Sequence, residues 1–204
     1  MKRSLKEAFK YLARLAAAGA VAPVALLSCF GRVGSLYQLG AQALSTMPGV
    51  PGDYLRTSYY RFTLLTFGAS SRIQFGSYFP HRDVRVGDGV YIGSYCILGR
   101  VEIGDHTQIA SGVQILSGRH QHGRDERGQI QGSHLGEFRT VKIGANCWIG
   151  AGAIVMADVG EGSTVGAGAV VVKPISAGSV AVGNPARVVR AVVPHAEEEM
   201  GSHP

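Results

Sequence analysis

The stretch Ile143–Gly160, which reads IGANCWIGAGAIVMADVG, decides the fold of this chain. It divides into three blocks of six in which an aliphatic residue comes first and glycine often follows. The same period recurs on both sides of this stretch, in blocks that open at Val86, Ile92, Ile103, Ile109, Ile115, Ile143, Ile149, Val155, Val165 and Val171. A fixed six-residue period over this length predicts a solenoid whose aliphatic residues point inward from three faces.

The period slips at two places. Ile92 to Ile103 is eleven residues, one short of two blocks, and Val155 to Val165 is ten residues, two short. We interpret both slips as shorter turns at corners of the coil, because small residues there allow the backbone to turn in several ways.

A longer interruption separates Ile115 from Ile143. Residues 117–140, here named the excursion, read SGRHQHGRDERGQIQGSHLGEFRT and are rich in His, Arg and acidic side chains. A long polar loop that leaves a rigid scaffold commonly carries function. We therefore expect the excursion to carry the functional residues.

The blocks and the closing stretch VGAGAVVVKPISAGSVAVGNPARVVR (165–190) resemble the hexapeptide-repeat acyltransferases, among them sugar and galactoside O-acetyltransferases and acetyltransferases of polysaccharide assembly. The resemblance covers roughly residues 70–190. It implies an all-β, left-handed parallel β-helix, an exception to the right-handed crossover rule. It also implies a homotrimer with active sites between neighbouring prisms and acetyl-CoA as the acyl donor.

In that family the excursion carries a catalytic histidine, in a phrase like Ser117-Gly118-Arg119-His120. A sugar hydroxyl is too weak an acid to attack a thioester unaided, and an imidazole that takes its proton accelerates the attack about 10²- to 10⁴-fold. We therefore predict that His120 is the general base of a direct O-acyl transfer. His122 is the rival base, and Asp125 and Glu137 are candidates for orienting the imidazole.

The resemblance also implies a donor site in which small residues lie along the pantetheine and cations face the phosphates of coenzyme A. These residues are Ala151, Ala167, Lys173, Arg187 and Arg190. Trp148 would line the cleft near the thioester, with a packed surface aromatic as the alternative. Sugar acetyltransferases often have Asn where this chain has Gly93 and Ser94, which leaves the acceptor open.

The N-terminal region carries a basic stripe, because Lys2, Lys6, Lys10 and Arg14 recur every four positions and share one helix face. An uncharged run of 17 residues follows at positions 15–31, near the lower limit for a bilayer span. Three interpretations remain open. Residues 1–30 form a peripheral membrane contact, a secretory or lipoprotein signal after which the processed chain begins at Cys29, or a helix that caps the coil.

These features divide the chain into three parts. They are a helical arm and cap over residues 1–67, a β-helix over 68–190 and a disordered tail over 191–204. We expect a cytoplasmic protein, at the inner face of the membrane if the arm binds lipid, since coenzyme A is cytoplasmic.

Charge and cysteine content argue against a nucleic-acid-binding protein and against a fold held by disulfides or zinc. The formal net charge is +6, but the first 32 residues hold six basic residues and one acidic one, so the rest carries only +1. Such a local charge does not suit a body that binds nucleic acid. Three cysteines without CxxC spacing argue against a disulfide framework and a zinc ribbon.

Two alternative functions remain. The prism of γ-type carbonic anhydrases holds zinc through three histidines, and this chain has candidates in His81, His106, His120, His122 and His134. Their spacing does not match that family, so we expect no metal. A non-catalytic prism that only binds or supports a partner would need no histidine-bearing excursion.

Overall fold

The computed structural model describes residues 2–117, 122–132 and 138–191, with side chains from Glu7 onward. This part of the chain holds three helices, α1 (Lys2–Leu27), α2 (Gly34–Ser45) and α3 (Gly49–Thr63), which we name the helical unit. Fifteen short strands follow. They are β1 (Thr66–Phe67), β2 (Arg72–Ile73), β3 (Arg85–Val86), β4 (Tyr91–Ile92), β5 (Ile97–Leu98), β6 (Val101–Ile103), β7 (Gln108–Ile109), β8 (Gln114–Ile115), β9 (Val141–Ile143), β10 (Trp148–Ile149), β11 (Ile154–Val155), β12 (Thr164–Val165), β13 (Val170–Val171), β14 (Ser179–Val182) and β15 (Arg187–Ala191).

Strands β1 to β14 wind into a three-sided, left-handed parallel β-helix, as predicted. Face A has the order β1-β3-β6-β9, face B has β14-β12-β10-β7-β4-β2, and face C has β13-β11-β8-β5. Neighbouring strands on a face come from successive coils, and the inward residues are in register. Ile109 on face B, for example, pairs with Ile92 on one side and Ile149 on the other.

The aliphatic residues that open the ten blocks form the core of the coil. None of them is more than 3% exposed, so the inward direction predicted from the period is confirmed. Complete burial of one such side chain contributes about 1.5–3 kcal/mol, which makes this stack the main source of stability in the coil.

All departures from the six-residue step lie at one corner, the passage from face C to face A, which we name the third corner. Both other corners keep six residues between inward positions in each described coil. At the third corner the step is seven residues (Phe79 to Val86), five (Leu98 to Ile103), four (Val155 to Val159) and again four (Val171 to Ile175). Both predicted slips are thus corner changes, and the excursion leaves from this same corner.

The two regular corners share one repeated turn. A residue with positive φ recurs in almost every coil, such as Asn146 at the corner between faces A and B and Gly152 at the corner between B and C. Most of these residues donate their backbone N–H to a carbonyl of the neighbouring coil, as Gly168 does to Ala151 at 2.8 Å. Gly89 donates to Ser70 Oγ instead, and Gly76 donates to the Ser45 carbonyl of α2. Outside the excursion, the described residues of the third corner include none with positive φ, whereas Gly128 within the excursion has a φ of 76°.

Buried hydroxyls add links between coils at the regular corners. Ser71 Oγ donates to the Gly87 carbonyl at 2.6 Å and accepts from the Val90 N–H at 3.0 Å. Ser77 and Thr107 repeat this arrangement on other coils. The polar groups that the turns bury are thereby satisfied.

Helix α3 packs on the first coil. Tyr59 and Tyr60 are buried, and the ring of Tyr60 contacts Phe67 and Phe79 with ring centroids 6.1 and 5.1 Å apart. Phe62 and Leu65 nearby are instead 38% and 41% exposed. The helix ends at Thr63, and its period places Phe62 on the side away from the coil.

Arg56 on α3 fastens the helical unit to the coil. Its side chain is wholly buried and donates to the carbonyls of Ile73 at 3.3 Å, Leu44 at 3.1 Å and Met47 at 2.7 Å. It also pairs with Asp53. Burial lowers the pKa of Arg56, and the neighbouring carboxylate opposes that change. In the sequence it looks like any arginine of a helix surface, so its role was not anticipated.

The chain turns at Gly183-Asn184-Pro185, between β14 and β15. Gly183 has a φ of 95°, and β15 then runs antiparallel along β14, which extends face B by one strand. All five residues of β15 are exposed. The predicted tail lies outside the described residues except for Ala191.

Candidate active site

The excursion is pinned where it leaves the coil. Ser117 Oγ accepts the Arg100 backbone N–H at 2.9 Å, and the Ser117 carbonyl accepts the Arg139 N–H, also at 2.9 Å. The guanidinium of Arg139 forms an ion pair with Asp158 on the next coil. The two ends of the excursion therefore meet at the third corner.

His120 and Glu137 lie between these ends but outside the described residues. The predicted base and one of its predicted partners therefore stay predictions. What the structure describes is the site to which His120 is attached, three residues beyond the buried Ser117.

Residues 122–132 form a hairpin within the excursion. Arg124 and Ile130 form an antiparallel bridge, and the Gln131 N–H donates to the Gly123 carbonyl at 2.9 Å. His122 Nδ1 lies 3.0 Å from the Gln131 carbonyl oxygen. A carbonyl only accepts, so Nδ1 carries the proton, and in the neutral imidazole Nε2 keeps its lone pair. His122, the rival base, thus has the tautomer that a base acting through Nε2 needs.

Asp125 stabilises the tip of this hairpin. Its Oδ1 accepts the backbone N–H groups of Arg127 and Gln129, both at 2.9 Å, and its carbonyl accepts the Gly128 N–H at 2.9 Å. Aspartate first and glycine fourth is typical of a type I turn, and this signal could have identified the hairpin from the sequence. The predicted role of Asp125 beside an imidazole stays a prediction.

The small residues of the predicted donor site lie together. Ala151 and Ala167 occupy the same position of the B–C corner on successive coils, and both are exposed. The next coil brings the chain to Arg187, which pairs with Val182 at the start of β15. These three residues therefore follow one edge of the prism, which we name the donor edge.

The remaining cations are spread more widely. Arg190 lies opposite Val180 on the outer strand of face B. Lys173 lies at the third corner, just after β13, so face C separates it from Ala167 within one protomer. The chain thus brings Ala151, Ala167 and Arg187 together but leaves Lys173 on another edge.

Trp148 projects outward from the middle of face B. Its strand β10 lies between β7 and β12, where it pairs with Gln108 and Thr164. The side chain is 59% exposed, so the protomer itself leaves most of the indole open to a ligand or a neighbouring chain. Its predicted place in the acyl cleft stays a prediction.

Two cysteines are unsuited to nucleophilic catalysis. Cys96 and Cys147 are buried, and burial raises the pKa of both thiols. Each Sγ lies 3.2 Å from a carbonyl oxygen, of Ala110 and of Gly160 respectively. A buried thiol with a raised pKa is a poor nucleophile.

The two described histidines outside the excursion lie apart. His81 lies at the third corner, where its ring contacts Phe138, and burial lowers its pKa with a smaller contribution from Arg100. His106 lies at the A–B corner with a φ of 59°. The structure therefore does not bring these two zinc-ligand candidates to one corner.

Residues 83–117 and 140–173 match the family model described as bacterial transferase hexapeptide (six repeats). The matched ranges lie on either side of the excursion. Over these two ranges the coil is similar to the bacterial hexapeptide transferases. This is the family that the sequence resemblance named.

Individual proteins and solved structures are also similar to this chain. Nodulation protein L of Rhizobium leguminosarum bv. viciae is 48% identical over 111 residues, which cover 52% of this chain and 56% of that protein. The chain thus spans about half the length of the curated relatives it matches. The structure of a maltose O-acetyltransferase from Clostridium difficile 630 is 27% identical, with a TM-score of 0.66 over 82% of this chain and 89% of that chain. A galactoside acetyltransferase in complex with coenzyme A is 22% identical, with a TM-score of 0.60 over 78% and 82%.

Proposed function

We propose that this protein transfers an acetyl group from acetyl-CoA to a hydroxyl of a sugar or of a glycan precursor. The observation that carries the proposal is the excursion. It interrupts a hexapeptide transferase coil at one corner, and His120 follows the buried Ser117 by three residues. A structurally similar maltose O-acetyltransferase supports the reaction class, and a galactoside acetyltransferase of this fold supports coenzyme A as the donor.

The reaction needs one base and no covalent enzyme intermediate. The acceptor oxygen attacks the thioester carbonyl carbon while His120 takes the hydroxyl proton. The carbon–sulfur bond then breaks, and the thiolate of coenzyme A leaves with the proton that the imidazolium returns. This route uses no cysteine nucleophile, which suits the buried thiols of Cys96 and Cys147.

The donor site is proposed to lie between two prisms of a homotrimer. The donor edge offers Ala151 and Ala167 beside the pantetheine, with Arg187 and then Arg190 near phosphates. Lys173 belongs to another corner of the same protomer. A donor that contacts both Lys173 and Arg187 is therefore most simply held between neighbouring protomers, which supports the trimer.

Replacement of the base tests the proposal. We expect His120→Ala to lower turnover about 10²- to 10⁴-fold in an assay of thiol release from acetyl-CoA with a small sugar acceptor, because general base help is lost. The far-UV circular dichroism should be unchanged, since His120 belongs to the excursion and to none of the repeat blocks.

His122→Ala is the matched control, two residues away and also in the excursion. It should retain most of the turnover. If His122→Ala collapses turnover while His120→Ala stays near normal, the base is His122. If neither variant loses turnover, histidine base catalysis is wrong for this protein.

We further propose that α1 makes a peripheral contact with the cytoplasmic face of a membrane. Residues Glu7–Leu27 of this helix are long and apolar enough to cross a bilayer by length and composition alone. Its large apolar residues are at least half exposed at Phe9, Leu12, Leu15, Leu26 and Leu27. Val21 and Ala25 on the same helix are buried in the helical unit, which favours a helix that lies along the surface over one that spans it.

Surface substitutions test this contact without unfolding the helix. We expect Phe9→Glu with Leu12→Glu to reduce cosedimentation with phosphatidylglycerol vesicles about tenfold or more, because two apolar side chains no longer enter the lipid. Added salt should release the unaltered protein. Ile130→Glu, an exposed apolar residue of the excursion, is the control. Equal vesicle binding by both variants would favour the cap-helix interpretation.

A further inference from the structure

Three arginines converge on a small pocket at the junction of the helical unit and the first coil. Arg14 comes from α1, Arg61 from α3 and Arg72 from the start of β2. The pocket encloses about 120 Å³. Thr57 and Ser58 of α3 also line it, and both are more than nine-tenths buried. The walls are therefore built of guanidinium and hydroxyl donors from packed elements.

Arg61 is held in place by one hydrogen bond, and one of its other N–H donors is unpaired among the described residues. Its Nη2 donates to the Ala69 carbonyl, which fixes the guanidinium against the first turn of the coil. Its Nε–H is buried and has no hydrogen-bond partner among the described residues. Burial lowers the pKa of Arg61, and so does the positive charge of Arg14. A buried guanidinium N–H without a partner is costly, and an anion would remove that cost.

The acidic groups around the pocket do not cancel its charge. Asp53 lines the wall, but its carboxylate is paired with the buried Arg56. Asp88 lies near enough to Arg61 to oppose the change in its pKa. Within the described part of the chain, Arg14 and Arg72 have no ion-pair partner. The pocket therefore keeps an excess of positive charge.

We propose that this pocket binds a phosphate group. Guanidinium groups bind phosphate oxygens through paired N–H donors, and the hydroxyls of Thr57 and Ser58 supply further donors. The pocket lies at the A–B corner of the first coil, whereas the donor edge follows the B–C corner. It is thus separate from the predicted coenzyme A site, and the proposal does not rest on acyl transfer.

The phosphate can come from a soluble ligand or from the headgroup of a lipid. A second groove, lined by Tyr11, Leu15 and Phe62, shares Arg14 and Arg61 with the pocket. The pocket therefore lies next to the exposed apolar side of α1, where a lipid headgroup would be found if that helix touches a membrane.

The primary test is a calorimetric titration of the full-length protein with inorganic phosphate. We expect saturable binding that weakens about tenfold or more in Arg61→Gln and about threefold or more in Arg72→Gln, because each loses charge-assisted hydrogen bonds. Arg32→Gln, an exposed arginine between α1 and α2, should leave the affinity unchanged. Arg72 is exposed, so its substitution tests the site even if Arg61→Gln disturbs the fold. The proposal is wrong if phosphate binding does not saturate or if all variants bind phosphate with equal affinity.

Vesicles distinguish the two sources of phosphate. If a lipid headgroup is the ligand, Arg72→Gln should lower cosedimentation with phosphatidic acid vesicles by about the same factor as it lowers phosphate affinity, while Arg32→Gln does not. If the ligand is soluble, Arg72→Gln should lower phosphate affinity and leave vesicle binding unchanged. Both results support phosphate recognition, and each assigns a different source.

Discussion

Two corners of the coil keep the same turn in coil after coil, whereas the third corner changes from four residues to the 28 that separate Ile115 from Ile143. The regular corners are tied to their neighbours by stacked backbone hydrogen bonds and by buried hydroxyls such as Ser71 and Thr107. Outside the excursion, the described residues of the third corner lack the positive-φ turn. The comparison teaches that length can vary where the stacked turn is missing, and that is where the excursion arises.

Insertion of one residue is the sharpest way to break this comparison. A glycine inserted between Ala151 and Gly152 should prevent cooperative folding or remove most of the stability, because a one-residue slip turns inward side chains outward. The same insertion after Gly128, at the tip of the excursion, should cost less than about 1 kcal/mol, since loop closure depends weakly on length.

Urea unfolding followed by circular dichroism measures both insertions. Similar stabilities of the two variants would show that the B–C corner tolerates length changes as the third corner does. The distinction between regular and variable corners would then be wrong.

Substitution of two isoleucines compares the stability contribution of a buried side chain in the coil with that of an exposed side chain in the excursion. Ile149 is completely buried on face B, and Ile130 in the excursion is 68% exposed. We expect Ile149→Ala to lower the free energy of unfolding by about 2–5 kcal/mol, through lost burial and the cavity it leaves. Ile130→Ala should stay within about 0.5 kcal/mol of the unaltered protein. A large loss in Ile130→Ala would mean that the excursion packs against the prism or a neighbour.

Charge reversal tests whether the donor site spans both kinds of corner. We expect Lys173→Glu at the third corner and Arg187→Glu on the donor edge each to weaken coenzyme A binding about tenfold, because a cation near a phosphate is replaced by an anion. Calorimetry with coenzyme A measures the affinity, and Lys142→Glu on face A is the control.

An effect of Arg187→Glu alone would confine the phosphates to the donor edge. An effect of Lys173→Glu alone would place them at the third corner. If neither variant changes the affinity, the assignment carried over from the family is wrong for both residues.

The six-residue period predicted the core because inward residues are a property of the repeat itself. It located the two slips but not their common corner, since the pairing of Leu98 and Val159 with other coils is visible only in three dimensions. Arg56 was missed because burial of an arginine depends on carbonyl groups far away in the sequence. The hairpin of the excursion could have been found from Asp125 and Gly128, whereas the surroundings of His120 depend on contacts that no local pattern encodes.

The antiparallel direction of β15 affects whether copies of the prism can associate end to end. A parallel stack of strands is the architecture of an amyloid fibre, and each open end could template another copy. At one end α3 covers the first coil, and at the other the outer edge of face B belongs to a strand of reversed direction that carries Arg187 and Arg190. A second prism that arrived there would meet positive charge and the wrong strand polarity. The chain therefore has the stacked parallel strands of an amyloid fibre but does not add further copies through face B.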